Sequence, residues 1–397
     1  MNGPDWDVLT KGIVPNTATR SEKADMMLIE RSELTLGTDR IRLEVGRDLL
    51  EPVASWFAER QPGGIVLVTD DNVRELHAGP LAERLAQVSH VSVLSVSPGE
   101  RSKSMRTLQC LMEQALDVGI TRRTYIVSFG GGVVSNLTGV MAGLLFRGLP
   151  FVDIPTSIVA QIDASISRKQ AVNSRNGKNL FGLWKSPEAI FVDMDYLTTL
   201  DRRQVRTGLA EALKLALIAD LDYFETLESL SLDEIINSPD LLDSVILRSI
   251  DLTCRILAED PYEGTSGSCL EIGHTIGHAV EILERGRLTH GEAIAIGMVI
   301  EAALSVQLGL LHSEWFDRIH AVLTRYELPT TLPPRIGPGQ IVGALRFDNK
   351  RWQTDPTFVP IRDLGTMHDR PTPVEHPVLL LEHLESAARR TPSAGRL

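Results

Sequence analysis

Five short runs are apolar at almost every position: IVLVTD (65–70), VSVLSV (91–96), TYIVSF (124–129), FVDIPT (151–156) and AIFVDM (189–194). Their length and their Val, Ile and Phe content predict strands. Between them, 79–88 and 104–118 carry apolar residues at helical spacing. Strands alternating with helices imply a parallel sheet with helices on its faces. Past about residue 200 the pattern changes. VRTGLAEALKLALIA, LLDSVILRSIDLTCRILAE, IGHTIGHAVEILE and HGEAIAIGMVIEAALSVQLGLL are long, helix-periodic and poor in strand signals. The expectation is an α/β domain over 28–200 and a mostly helical domain over 201–387, with flexible ends at 1–27 and 388–397.

Composition narrows the function classes. A chain of 397 residues with 43% hydrophobic and 23% charged residues has material for a real core. A net charge of −12 without a basic block argues against a general binder of nucleic acid or anionic membranes, but not against a local cationic pocket. Cys110, Cys254 and Cys269 cannot all pair and form no CxxC, so a disulfide scaffold is excluded and a reducing cytoplasm is expected. The first 25 residues carry no apolar run of signal-peptide length. The uncharged stretch 125–146 imitates a membrane span in length, but Gly130, Gly131, Gly132, Ser135, Asn136 and Thr138 describe a strand, a turn and a small-residue helix instead.

Three groups of residues carry candidate chemistry. SFGGGVVSNLTG (128–139) follows a strand and opens a helix, where glycines admit a ligand to the backbone and helix N–H groups meet a phosphate; a ligand-free tight turn is the alternative. VTDDNV (68–73) and PGERSK (98–103) sit at strand ends of the same half; their carboxylates suit ribose hydroxyls and Lys103 suits a phosphate. Glu211, His274, His278 and His290 form a second group. His274 and His278 are four apart and share a helix face. Glu211 with two of these histidines makes an open three-ligand site for zinc or cobalt, against the alternative of core or capping histidines. The third group, ISRKQAVNSRNGKNLFG (166–182), is turn-rich and holds Arg168, Lys169, Arg175 and Lys178. With Arg147 and Lys350 it offers a phosphate pocket or a solvated loop.

The order of these pieces resembles the sugar phosphate cyclases of the dehydroquinate synthase superfamily. The likeness runs through DDNV, GERSK, GGGVVSN, FRG, IPTS, KQAVN, GKN, GLAEALK, GHTIGHAVE, HGEA and DNKR, from about residue 35 to 355. It implies an NAD-binding α/β domain, a helical metal-binding domain with one divalent cobalt or zinc, and a homodimer acting on a phosphosugar. It implies that Glu211, His274 and His290 are metal ligands, and that His278, Lys169, Asn179 and Lys350 lie on the phosphate side. Arg147 matches an arginine that reaches the neighbouring subunit's site. Asp70, Asn72, Glu100, Lys103, Gly131, Gly132, Val133, Asn136, Thr156, Ser157, Lys178 and Asn179 are the implied NAD contacts. Asp163 and Lys214 match residues around the substrate hydroxyls.

Departures from the dehydroquinate pattern point to one branch. That pattern has Asp at Asn136, GGKTAVN where this chain has SRKQAVN, Asn at Glu271, and an arginine for the substrate carboxylate at Gly267. All four changes resemble the 2-deoxy-scyllo-inosose synthases, phosphate-eliminating lyases that convert glucose 6-phosphate on the way to aminocyclitol antibiotics. Glu271 is then a proton-transfer group or holds a hydroxyl, with a metal-histidine partner as the alternative. The competing readings are a 3-dehydroquinate synthase, a valiolone-type cyclase, a metal-dependent alcohol dehydrogenase and a non-catalytic NAD or phosphosugar sensor.

Overall fold

The computed structural model describes residues 28–347, 357–362, 364–365 and 372–373. The expected extension at 1–27, the tail at 388–397 and Lys350 lie outside the described residues. The strands longer than two residues among the described residues are β1 (Leu28–Leu36), β2 (Asp39–Gly46), β3 (Gly64–Asp70), β4 (Val91–Val96), β5 (Thr124–Gly130), β6 (Phe151–Pro155), β7 (Lys169–Val172), β8 (Phe181–Trp184) and β9 (Ala189–Asp193). Seven of them form one sheet in the order β1-β2-β9-β6-β5-β3-β4. Only the β1–β2 pair is antiparallel. The five apolar runs of the sequence are β3, β4, β5, β6 and β9, which lie side by side. β6 and β9 are buried at every residue, as strands covered on both faces must be.

Helices cover the two faces. On one, Leu108, Leu111 and Ala115 of α3 and Leu137, Val140 and Met141 of α4 pack on Val66, Val68 and Ile126. On the other, Val53, Trp56 and Phe57 of α1 and Leu81 and Leu85 of α2 pack on Leu67, Val127, Phe129 and Phe191. The ranges are α1 (Leu50–Arg60), α2 (Gly79–Ala86), α3 (Met105–Asp117) and α4 (Gly132–Leu144).

Two elements go beyond the apolar runs. β1 and β2 form an edge hairpin whose Leu34, Leu36, Ile41, Leu43 and Val45 join the core of the helical part. The stretch 166–182, expected to be turn-rich, contains a second hairpin. β7 pairs with β8 antiparallel across a polar connection and lies against α4. The approach is close: an added Cβ at Gly139 would lie 2.3 Å from the Gln170 side chain, and one at Gly143 2.6 Å from Leu183.

Past β9 the described residues are mostly helical: α5 (Arg202–Ala219), α6 (Leu221–Ser229), α7 (Leu232–Asn237), α8 (Pro239–Glu259), α9 (His274–Glu284), α10 (His290–Gln307), α11 (Ser313–Arg325) and α12 (Pro338–Leu345), with a two-residue strand pair of Thr357–Phe358 and Thr372–Pro373. No helix among the described residues is long and apolar enough to cross a membrane. α10 begins at a capping box in which Thr289 and Glu292 satisfy each other's backbone N–H groups. Glycines let α10 press against two neighbours. A Cβ at Gly291 would sit 2.0 Å from the Thr207 carbonyl oxygen of α5, and one at Gly297 1.9 Å from the Gly273 carbonyl oxygen just before α9. Gly273 itself has φ +79°, the left-handed region where glycine is unstrained.

These contacts set a stability test. Gly297→Ala forces α10 off the α9 turn and is expected to cost at least the roughly 1–3 kcal/mol of an overpacked core. Gly343→Ala in α12, where an added Cβ meets nothing within 4 Å, is expected to be neutral or slightly stabilising. Urea denaturation of the two variants checks the contrast.

Candidate active site

The strand order reverses direction between β3 and β5, since β4 lies on one side of that pair and β6 and β9 on the other. In open parallel sheets a ligand crevice forms outside the carboxyl ends of the strands at such a point. The segments leaving those ends are the Gly99–Lys103 turn after β4, the start of α4 after β5, and the chain to Asp163 after β6. They line a cavity of about 950 Å³. The first residues of α9 and α10, His274 and His290, close it from the helical side. Three helix N-termini therefore face one cavity, an arrangement that favours anions.

The cavity gathers most of the residues singled out from the sequence. Glu100, Lys103, Gly132, Val133, Asn136, Asp163, Lys169, Lys178, Asn179, Lys214, Glu271, His274, His278 and His290 line it. Gly131 caps α4 and lies against Ser157, and Thr156 is buried. Asp70 accepts the backbone N–H groups of Asn72 and Val73, at 3.0 and 3.1 Å. These residues are not part of the cavity lining. Arg147 is exposed just after α4, at φ 67°, and lies outside the lining of its own chain's cavity.

Glu211, His274 and His290 converge, with one donor atom from each within 4.8 Å of the others. Glu211 is fully buried and neither of its oxygens accepts a well-aligned hydrogen bond. Its Oε2 is 2.6 Å from Lys214 Nζ, and its Oε1 is 3.2 Å from His290 Nε2 and 3.8 Å from His274 Nε2. Burial pushes this carboxyl up, but Lys214, His274 and His290 together hold it well below the usual carboxylate range. Both imidazoles are fixed from behind. His274 Nδ1 is 3.1 Å from the Ile272 carbonyl oxygen, and His290 Nδ1 is 3.1 Å from Glu281 Oε2. With Nδ1 engaged, Nε2 is the nitrogen presented toward Glu211, as at metal sites whose histidines are oriented by an outer partner. One carboxylate and two such imidazoles fit a divalent cation and leave room for a substrate oxygen.

Charge continues outward from this cluster. Glu281 also pairs with Lys178, which lies 3.0 Å from Glu100 on the strand-end side. Burial lowers the Lys178 ammonium, but Glu281 and Glu100 outweigh it and leave it raised. Lys103 donates to Asn179 at 2.6 Å and is pushed down to about 8, chiefly by burial. On the opposite wall Lys169 lies between Glu263 and Glu271, with Glu271 Oε1 at 2.7 Å. Burial lowers Lys169, yet the two carboxylates hold it firmly protonated.

Family models for the N-terminal and C-terminal parts of 3-dehydroquinate synthase match residues 93–207 and 208–351. The chain belongs to the 3-dehydroquinate synthase family. It is a sugar phosphate cyclase, a lyase by class. A 3-dehydroquinate synthase from Pelobacter propionicus is 37% identical over 305 residues, 76% of this chain and 85% of the relative. A 2-deoxy-scyllo-inosose synthase from Micromonospora echinospora is 35% identical over 319 residues, 80% of each chain. Among solved structures, a 2-deoxy-scyllo-inosose synthase complexed with carbaglucose-6-phosphate, NAD+ and Co2+ superposes with a TM-score of 0.81 at 31% identity, covering 90% of this chain and 99% of the other. A 2-epi-5-epi-valiolone synthase from Streptomyces hygroscopicus with NAD+ and Zn2+ bound gives 0.80 at 26% identity, covering 90% and 99%.

The structure adds three cyclase residues that the sequence reading did not single out. Glu281 had a signal, since it lies seven residues after His274 on the same helix face. Glu301 accepts from the Gly273 and Ile276 N–H groups at 2.6 and 3.2 Å and so holds the start of α9 from α10. Its eleven-residue spacing from His290, three helical turns, was a weaker signal. Glu263 carried none, because its place follows from a loop. Gly267, at the position that grips a substrate carboxylate in the dehydroquinate pattern, donates its N–H to Asp260 and lies outside the cavity lining, whereas Glu263 is part of that lining.

Glu211 and the histidines set the metal test. His274→Ala and His290→Ala are expected to lose stoichiometric metal by elemental analysis, because an open three-ligand site rarely survives on two. Glu281→Gln is expected to keep the metal with an affinity weakened by about 10–100-fold, the usual cost of a lost outer partner.

Proposed function

We propose that this cyclase converts glucose 6-phosphate to 2-deoxy-scyllo-inosose with release of phosphate, as a homodimer using NAD and one divalent cobalt or zinc ion. The observation that carries this reading is the Glu263–Lys169–Glu271 arrangement. A substrate carboxylate entering that wall would meet two carboxylates beside Lys169. A buried carboxylate without a cationic partner is costly. A sugar ring that carries no carboxylate instead finds acceptors for its hydroxyls.

The remaining roles are those the family resemblance implies, and the presence of most of these residues in the cavity lining supports them. Glu211, His274 and His290 would hold the metal, and the Glu100–Lys103 turn with Gly131–Asn136 would hold NAD. Bound there, the metal would supply Lewis acidity to a substrate hydroxyl and NAD would supply a reversible hydride acceptor for carbon 4. Asp163 and Lys214 hold the hydroxyls beside Glu211. Lys169, Asn179 and His278 take the phosphate side, with Lys350. Glu271 moves the carbon-5 proton, whose departure expels phosphate from carbon 6. After the ring opens, the enolate at carbon 6 attacks carbon 1 and closes the carbocycle. Arg147, exposed on its own chain, completes the partner's phosphate pocket.

The second reading is 3-dehydroquinate synthase, favoured by the identity to the Pelobacter propionicus enzyme. A panel of phosphosugars separates the two. Glucose 6-phosphate is expected to release phosphate, and substrate deuterated at carbon 4 to give product that keeps the label without net NADH. Glu271→Gln is expected to retain metal and lower turnover by roughly 10²–10⁴-fold, the usual worth of an acid–base group. Conversion of the heptulosonate 7-phosphate with none of glucose 6-phosphate would assign the chain to the dehydroquinate branch.

A further inference from the structure

One of the two carboxylates paired with Lys169, Glu263, does not sit on a helix or strand. It belongs to the loop after α8 and has φ 51°, a left-handed conformation that a glutamate rarely adopts. Strain of this kind persists only where the surroundings impose it. Asp260 organises the base of the loop. Its Oδ2 accepts from Thr265 N at 2.6 Å, Thr265 Oγ1 at 2.9 Å and Gly267 N at 3.1 Å, and its carbonyl oxygen accepts from Glu263 N.

Asp260 does not explain why the tip of the loop lies on the β7–β8 hairpin. The contact there is made by Tyr262, the residue before Glu263. Its ring meets Trp184 edge-on at 5.1 Å between centroids and 74° between planes, and the Arg168 guanidinium lies 4.7 Å from its centroid. Arg168 is buried and fixed in its turn, donating to Asp39 at 2.9 Å and to Ser186 at 3.1 Å. Its Nη1 is buried with no hydrogen-bond partner, a costly state for a guanidinium that stacking on an aromatic face offsets. Tyr262 remains 53% exposed, so core packing does not account for it. Arg168, next to Lys169 in sequence, thus grips the residue next to Lys169's partner.

We propose that Tyr262 is a positioning residue: clamped between Arg168 and Trp184, it holds the strained loop so that Glu263 stays on Lys169 and the cavity keeps its preference for a phosphosugar that carries no carboxylate. The inference rests on the Lys169 wall described under the proposed function, but its test does not depend on which sugar is turned over.

The test is a double-mutant cycle on the full-length enzyme, run with whichever phosphosugar the substrate panel identifies. If glucose 6-phosphate fails there, the substrate assignment falls while the clamp is still measured on the true substrate. Tyr262→Ala is expected to lower kcat/KM by at least about tenfold, as Glu263→Gln does, and to lower the melting temperature by only a few degrees, because the ring is largely exposed and its loss removes only the stacking on Arg168 and the edge contact with Trp184. Tyr262→Phe, which keeps the ring, is expected to restore kcat/KM to within about twofold. The double variant is expected to be no worse than Glu263→Gln alone, because residues that act through one another are not additive. Wild-type kcat/KM in Tyr262→Ala, failure of Tyr262→Phe to rescue, or a double variant showing the product of the two single losses would overturn the clamp.

Discussion

A carboxylate with no exposed surface in the middle of a helix needs positive charge around it, and much of this site follows from how Glu211 obtains it. Lys214, one turn along α5, supplies part. The rest comes from the other side, where His274 and His290 bring Nε2 toward the same carboxylate. Without a metal ion the surrounding carboxylates make the cluster basic. Burial lowers His290, yet Glu211 and Glu281 push it up to about 9. A divalent cation meets the same demand without a proton. Glu281, which orients His290, needs a partner of its own and finds Lys178 on the sheet side of the cavity. The electrostatic requirement of one buried glutamate thus extends from α5 through α9 to the turns that follow the strands.

Backbone packing makes that chain of charges possible. The two metal-facing histidines are the first residues of their helices, so their positions depend on where α9 and α10 start. Gly291 and Gly297 let α10 approach the carbonyl oxygens of Thr207 and Gly273 at distances no side chain permits. Glu301 ties the α9 start back to α10 through two N–H groups. The glycines beside the histidines therefore serve packing, and through packing the geometry of the ligands.

This explains what was legible in the sequence. Strands apolar at nearly every position, β3, β5, β6 and β9, announce themselves because both faces of the sheet are covered there, whereas β4 at the edge is only half-buried. β1 and β2 alternate Leu, Ile and Val with Glu, Arg and Asp, and their burial depends on helices far along the chain. The β7–β8 hairpin is hidden by its polar connection and by the exposure of Phe181 and Trp184. In the site, Glu211, His274 and His290 are visible through residue type and spacing together with the family resemblance. Glu263 is not, because a loop with positive φ leaves no periodic trace and its partner lies 94 residues away.

The central claim is that Glu211, His274 and His290 form the binding site of a single divalent ion at the junction of sheet and helices. Anomalous diffraction from a crystal of the metal-loaded protein, collected at the cobalt or zinc edge, tests it most directly. The account predicts one peak within about 2.0–2.2 Å of the two Nε2 atoms and a Glu211 oxygen, with Glu281 still on His290. A peak ligated by other residues, or none at these three in protein that retains activity, would contradict it.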